Sequence, residues 1–466
     1  MASAQTVYHL TGSTAFRNAV MAGEVAICGG NSAYAIYWGS SSNNLSNANY
    51  SIVATGTTTS DTVFENFWNG SIAGDQALTE PVSLNFPDFT TYASSMTHAA
   101  AADVPSLTQV SGGTQVTNTS YTGVSHVPEL ALSDAFFSTA QQIMKAASPA
   151  DNNTPSGGTS ATNTEIGIIP FVFIADGSPD VYSKLGTPGV APATVALSMD
   201  PQKYTYVWSS GGSAPLSLFT GSTTDTLTPV YGLGRDADSG TRATTLSETG
   251  YGLNGSGKLL TPVAQFYPYS SNSAYTADEA TATADSTGVA GFHATTGVCG
   301  IDSTATSIEQ LDLVPFESVD GYDMGSPGND GDGGYYSGGN NAVGISTPFA
   351  SSTANTVMMT SLGCSDAKTA LTGVNPACLM AYNGVIFYPT PTLPSGVTLA
   401  SNAAQIYTGK YTFWGYEHMY YLSTASGEAT TLRTTLKTDL YDELASNGVA
   451  FANMLVTRSS DGANVQ

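Results

Sequence analysis

The sequence predicts an α/β fold whose ligand loops lie at strand ends. Apolar strand-like runs alternate with helical patterns, and turns rich in Gly, Ser and Thr join one to the next. Residues 168–174, an Ile/Val/Phe run interrupted only by Pro170, read as a strand buried on both faces.

In chain order, the apolar stretch 7–10 is a first strand, followed by Thr11-Gly12-Ser13. A helix then carries Phe16, Val20 and Met21 on one face, with Gly23 near its end. Strands are expected at 34–38 and 50–54. The run 127–132 is another strand, closed by Ser133-Asp134 and followed by a helix through Phe136, Ala140 and Ile143. Residues 147–164 read as a linker or excursion rich in Ser, Asn, Gly, Thr and Pro. The middle of the chain is irregular, with a Ser/Thr/Ala-rich segment at 270–296 and a Gly/Asp-rich one at 320–341. Order returns at 342–345, 384–388 and 411–422, and a last amphipathic helix is expected over 430–445. No repeat of fixed period is present.

With 466 residues and 41% hydrophobic content, the chain can build two or three cores and is not a disordered sequence. Charged residues are only 10%, with 12 Lys+Arg against 36 Asp+Glu and a net charge of -24. Such a surface repels nucleic acid and anionic lipid, so neither is a partner; an anion site must be built from local donors. No apolar run is long enough to insert in a membrane. Scarce lysine with abundant Ser, Thr, Asn and Gly points to a secreted protein, periplasmic or at the cell surface. The Ala-x-Ala pattern in Met1-Ala2-Ser3-Ala4-Gln5 leads us to expect a removed signal peptide and an added methionine. Cys364 and Cys378 flank a short polar segment and are expected to form a loop disulfide, whereas Cys28 and Cys299 read as buried thiols.

The chemistry lies in a repeated device: strand, Gly/Ser/Thr turn, helix. Unpaired amides and the positive dipole end at a helix start suit an anion, although a Ser or Thr there usually only caps the helix. Leu10-Thr11-Gly12-Ser13-Thr14-Ala15-Phe16 is the first instance and Asn69-Gly70-Ser71-Ile72-Ala73-Gly74 the second. The third, Gly234-Arg235-Asp236-Ala237-Asp238-Ser239-Gly240-Thr241-Arg242, adds a guanidinium that can hold two oxyanion oxygens, braced by Asp236 or Asp238. An exposed Arg–Asp pair at a capped helix is the bland alternative.

Arg235, the Ser239-Gly240-Thr241-Arg242 turn and the early Thr11-to-Phe16 loop resemble the phosphate-binding proteins of high-affinity phosphate ABC transporters. The resemblance implies a two-lobed type 2 periplasmic-binding-protein fold, here with large insertions near 76–125, 145–165, 265–340 and 350–400. Lobe 1 would comprise 1–168 and 416–466, and lobe 2 would comprise 169–415. It implies that Ser13, Thr14, Ala15, Phe16, Ser71, Asp134, Arg235, Ser239, Gly240 and Thr241 bind inorganic phosphate in the cleft. An ABC permease, or copies of the chain itself, would be the partner, with no cofactor. The family's Arg-x-Asp becomes Arg235-Asp236-Ala237, so the arginine's carboxylate partner is displaced. Residues 411–418 resemble the strand that returns to the first lobe.

Within that site Asp134 has a specific task. An ionised carboxylate beside an anion is repulsive unless a proton lies between them; phosphate near neutral pH has an OH to donate, and sulfate has none. The bland alternative is that Asp134 caps the following helix. Asp320, Asp323, Asp330 and Asp332 lack EF-hand spacing and read as a solvated acidic loop. His9, His98, His126, His293 and His418 form no metal motif, and Trp38, Trp68, Tyr50 and Phe67 read as core aromatics. Ser239 has no recognisable histidine partner, so an enzyme is not expected. The alternative function is an extracellular matrix, layer or filament subunit that keeps the fold.

Overall fold

The computed structural model describes residues 6–28, 35–39, 50–55, 62–79, 83–93, 97–98, 114–116, 123–140, 161–176, 181, 197–209, 214–235, 239–251, 263–269, 307–314, 338–346, 357–372, 376–389, 393–422, 433–434, 436–437 and 449–466. Met1 to Gln5, Asp236 to Asp238, Cys299, His293, the acidic loop and nearly all of the expected last helix lie outside them.

The architecture is mixed α/β around one large sheet. Its principal strands are β1 (Thr6–Gly12), β2 (Ala35–Gly39), β3 (Tyr50–Ala54), β4 (Thr62–Phe67), β5 (Leu130–Ser133), β6 (Ala161–Ala175), β7 (Pro229–Gly232), β8 (Val357–Gly363) and β9 (Trp414–Leu422). Across the sheet they run β7-β8-β6-β9-β5-β1-β4-β3-β2, with short strands at Ala214–Pro215 and Thr97–His98 on the two edges. The helices used below are α1 (Arg17–Ile27), α2 (Ser71–Thr79), α3 (Pro201–Ser209), α4 (Gly240–Thr249), α5 (Gly338–Ser346), α6 (Cys364–Thr372) and α7 (Leu399–Tyr407).

β1 runs parallel to both β4 and β5, so the turns after all three strands emerge at one edge. β7 and β8 are also parallel, and their turns lead into α4 and α6. Between these halves stand the long antiparallel strands β6 and β9. β9 pairs with β6 from Trp414 to Leu422, and with β5 at His418–Tyr420 on its other side. The far end of β6, Phe171 to Ala175, pairs with β8. Leu10, Phe16, Val20, Phe64, Trp68 and Leu132 pack together in a core of the first half; Phe173, Trp208, Leu246, Met359, Ile406 and Trp414 belong to a larger core that also takes in Ile72, Ala135 and Ala140 from the first half.

Several expectations are corrected. α1 continues through Gly23 to Ile27, because its apolar face stays buried to Val25. The strand expected at 168–174 begins at Ala161, inside the expected loop, since β9 is long enough to pair with it throughout. The stretch 350–400, read as an insertion, contains β8 and α6, which belong to the sheet and its cover. Cys364 and Cys378 are free thiols. The chain returns at Ala377, whose N–H bonds to Ala370 O, six helical residues beyond Cys364; that is roughly 9 Å of helix, outside disulfide reach.

The C-terminal segment 449–466 joins the halves. Arg458 is buried over the Trp414 ring at 4.4 Å and donates to Glu248 Oε2 (3.1 Å), Trp414 O (2.8 Å) and Thr412 O (2.6 Å). Three residues on, Asp461 Oδ2 accepts the Phe136 N–H at 2.7 Å, just after β5.

Behind β1, His9 lies 3.3 Å from Glu65 and 3.2 Å from Glu129, and stacks on His126 at 4.1 Å between centroids. Burial opposes its charge, but hydrogen bonds and charges from Glu129 and Glu65 outweigh burial and raise its pKa to about 9. The folded value exceeds the unfolded 6.5, so this stabilisation is complete below about pH 6.5 and lost as pH rises through about 9. Melting temperatures of His9→Gln should therefore be lower at neutral pH and fall less steeply than wild type between these two values. Parallel pH profiles would show that His9 is not charged in the fold.

Candidate functional site

The site assembles where the turns of the two halves meet. Gly12 ends β1 at φ 114°, and any Cβ there would overlap the Leu132 carbonyl. That contact lets the chain turn directly beside β5, with Ser13 N–H bonded to Leu132 O at 2.7 Å and Gly70 N–H to Gly12 O at 3.0 Å. Thr11 Oγ1 donates to Phe67 O and Asn69 Oδ1, fixing the first loop to the second.

From that frame Ser71, at the start of α2, donates its hydroxyl to Asp134 Oδ1. Asp134 N–H returns a bond to Ser71 Oγ at 3.2 Å. Across the junction, Thr241 Oγ1 donates to Asp134 Oδ2 at 3.0 Å, and Thr244 Oγ1 to the Asp134 carbonyl at 3.0 Å. A Cβ at Gly240 would overlap Asp134 Oδ1 and lie 2.7 Å from Ser71 Oγ, so only glycine lets the start of α4 come this close. Arg235 Nη2 reaches Thr14 Oγ1 at 3.3 Å, a second link between the halves. All of these side chains are buried.

Asp134 is not a helix cap. The amides after it, of Phe136 and Phe137, are taken by Asp461 Oδ2 and Tyr420 Oη. Its carboxyl is held above the ordinary aspartate range by burial, against the hydrogen bonds from Ser71 and Thr241 and the Arg235 charge. The neighbouring acids follow the same logic. Burial raises Asp75 and Glu417 well above their usual range; the Ser133 hydroxyl bonded to Asp75 and the Ser13 hydroxyl near Glu417 act against the rise, and the Asp134 charge adds to both shifts. Burial thus disfavours charge on both acids beside Asp134.

The other expected residues divide. Ser239 is the N-cap of α4, its Oγ accepting the Arg242 N–H at 3.2 Å, so its hydroxyl serves the helix. Ser13 has its amide committed to Leu132 and its hydroxyl against Glu417. Ala15 is half-buried beside Gly363, and the Phe16 side chain enters the core of its half. Thr14, Ser71, Asp134, Arg235, Gly240 and Thr241 form one continuous group. Two residues were missed. Arg17, buried at the start of α1, lies one residue past the first loop; its rarity in a chain with 12 Lys+Arg is a signal that could have found it. Asp366 feels the charges of both Arg17 and Arg235. It was hidden in a segment read as a disulfide loop. Arg242, the second arginine of the third motif, acts instead on Tyr204 and Tyr251.

No family model matches the sequence, and no curated protein does. Among solved structures, the chain is similar to a protein described as a phosphate ABC transporter substrate-binding protein with bound phosphate from Clostridium perfringens: 9% identity, 96% of this chain, 99% of that chain, TM-score 0.42. It is also similar to an ABC-type phosphate transport receptor from Vibrio cholerae, at 8% identity over 95% of this chain and 99% of that chain, with a TM-score of 0.39. Likeness at this level assigns neither a ligand nor a residue's role.

Thr241→Val removes one donor to a buried carboxylate and keeps the side-chain shape. Urea unfolding should show a loss of about 1–3 kcal/mol. An unchanged midpoint would mean that Thr241 does not hold Asp134 in solution.

Proposed function

We propose that the chain is a secreted solute-binding protein that takes a tetrahedral oxyanion, inorganic phosphate, between lobe 1 (1–168 and 416–466) and lobe 2 (169–415). The observation that carries this reading is the setting of Asp134. A buried carboxylate, within the field of one guanidinium, accepts hydrogen bonds from hydroxyls of both halves. Two carboxylate oxygens offer about four acceptor positions, so Ser71 and Thr241 leave capacity for a ligand OH. Phosphate supplies that OH and sulfate leaves the acceptor unpaired.

Arg235 supplies charge, and the starts of α1, α2 and α4 supply amides and aligned dipoles. Water exclusion on closure strengthens each contact, and the closed surface is what a permease, or another copy of the chain, would recognise. The protein acts by binding rather than catalysis: the hydroxyl best placed as a nucleophile by sequence, Ser239, caps α4. Assembly into an extracellular layer is a second reading, favoured by the 10% charge density; long polymers without bound phosphate on size-exclusion chromatography would support it.

Calorimetry on protein stripped of anions should show stoichiometric phosphate binding, with sulfate at least roughly 100-fold weaker. Asp134→Asn should narrow that gap, and Arg235→Ala should remove most of the affinity. Equal affinities for the two anions in wild type would remove the role given to Asp134. Undiminished binding in Arg235→Ala would remove the site itself.

A further inference from the structure

The turn that carries Arg235 is held by side chains from outside the ligand-loop motifs. β7 ends at Gly232, opposite Met359 of β8. A Cβ on Gly232 would stand 2.5 Å from the Trp208 ring of α3, so the strand end rests directly on that buried indole. One residue on, both backbone groups of Leu233 are bonded to β8. Its N–H donates to Met359 O at 2.8 Å, and its carbonyl accepts the Thr360 hydroxyl at 3.1 Å. The Thr360 oxygen in turn accepts a hydrogen bond from Asn341 Nδ2 of α5 at 2.8 Å. Asn341 and Thr360 are both 0% exposed, so water does not compete for these bonds.

A hydroxyl has one proton, and an amide NH2 can only donate. With Asn341 donating to it, the Thr360 oxygen turns its own proton to Leu233 O; the other acceptor in reach, Ser361 O, stands at 3.5 Å. The relay therefore runs in one direction, amide to hydroxyl to carbonyl, in a dry setting where each bond strengthens the next. What it fixes is the peptide plane between Leu233 and Gly234. Only Gly234 then separates the sheet from Arg235, and a residue without a Cβ resists backbone rotation least. Without that fixed plane the turn would carry the guanidinium over a wider range; in the fold its Nη2 lies 3.3 Å from Thr14 Oγ1 on the opposite half. We propose that Thr360 is a positioning residue of the anion site: oriented by Asn341, it sets the peptide that leads into Arg235 and so the place of the guanidinium. This rests on the phosphate-binding reading above. Thr360 and Asn341 act through Arg235, whose planar fork must meet two oxygens at once and tolerates little displacement.

A buried threonine that merely satisfies a carbonyl would change stability and leave affinity alone. Calorimetric phosphate titrations and melting temperatures of Thr360→Val, Thr360→Ser and Asn341→Ala separate the two roles. Thr360→Val keeps the shape and removes the donor; its phosphate affinity should fall roughly tenfold, the usual scale for a group that orients a ligand-holding side chain. Thr360→Ser restores the hydroxyl and should bind within roughly twofold of wild type. Asn341→Ala frees the hydroxyl to turn away and should weaken binding roughly threefold. The Arg235 Nε–H signal in a proton–nitrogen NMR spectrum, assigned by its loss in Arg235→Lys, should move in Thr360→Val and return in Thr360→Ser. Wild-type affinity in Thr360→Val, whatever its melting temperature, overturns this inference and leaves phosphate binding standing. Weakened binding with an unmoved Arg235 signal also overturns it, because the hydroxyl then acts by another route. If Thr360→Val does not fold, Asn341→Ala decides: unchanged affinity with an unmoved Arg235 signal overturns the proposal. Absence of phosphate binding in wild type removes the binding-protein reading and this inference with it.

Discussion

The hydrogen bonds that Ser71 and Thr241 donate to the two oxygens of Asp134 set the geometry at the centre of this molecule. A carboxylate removed from water is unfavourable by several kcal/mol unless donors and a counter-charge replace its hydration. Here the donors come from α2 and α4, on opposite halves, and the counter-charge from Arg235. Satisfying Asp134 therefore requires the halves to meet. The same requirement fixes residue types around it: Gly240 has no side chain because Asp134 and Ser71 occupy that volume, and Gly12 has none because Leu132 does. Burial disfavours charge on Asp75 and Glu417 beside Asp134.

Scaffold rigidity supports this arrangement from outside. β6 and β9 pair along most of their length and are shared by both halves, so the strand ends that carry the turns have little freedom to slide. The C-terminal segment adds a second tie. Arg458 is anchored on Trp414 and Glu248, and Asp461 takes the amide of Phe136. Because that amide is capped from elsewhere, Asp134 points its carboxyl into the junction rather than onto its own helix. A net charge of -24 is compatible with anion binding for a related reason: buried donors act at short range in a low dielectric, whereas the outer charges are screened over about 10 Å.

Much of this was legible in local chemistry. The apolar runs that became β1, β3 and β5, the turn at Thr11 to Thr14, and the Ser239-Gly240-Thr241 helix start are short-range features, and period and turn residues locate them. The pairing of β6 with β9 and the place of β8 in the sheet were not, since strand partners are chosen by contacts hundreds of residues apart. The expected disulfide failed because spacing in sequence ignores the helix that intervenes between Cys364 and Cys378.

By itself, then, the sequence determined the α/β class and the small-residue turns, because strand and helix periodicity and the steric freedom of glycine are local properties. Tertiary structure alone decided that Asp134 faces Thr241 and that Ser239 serves as a cap. The physical reason is that a buried charge is controlled by what surrounds it, and burial is settled only when distant segments pack.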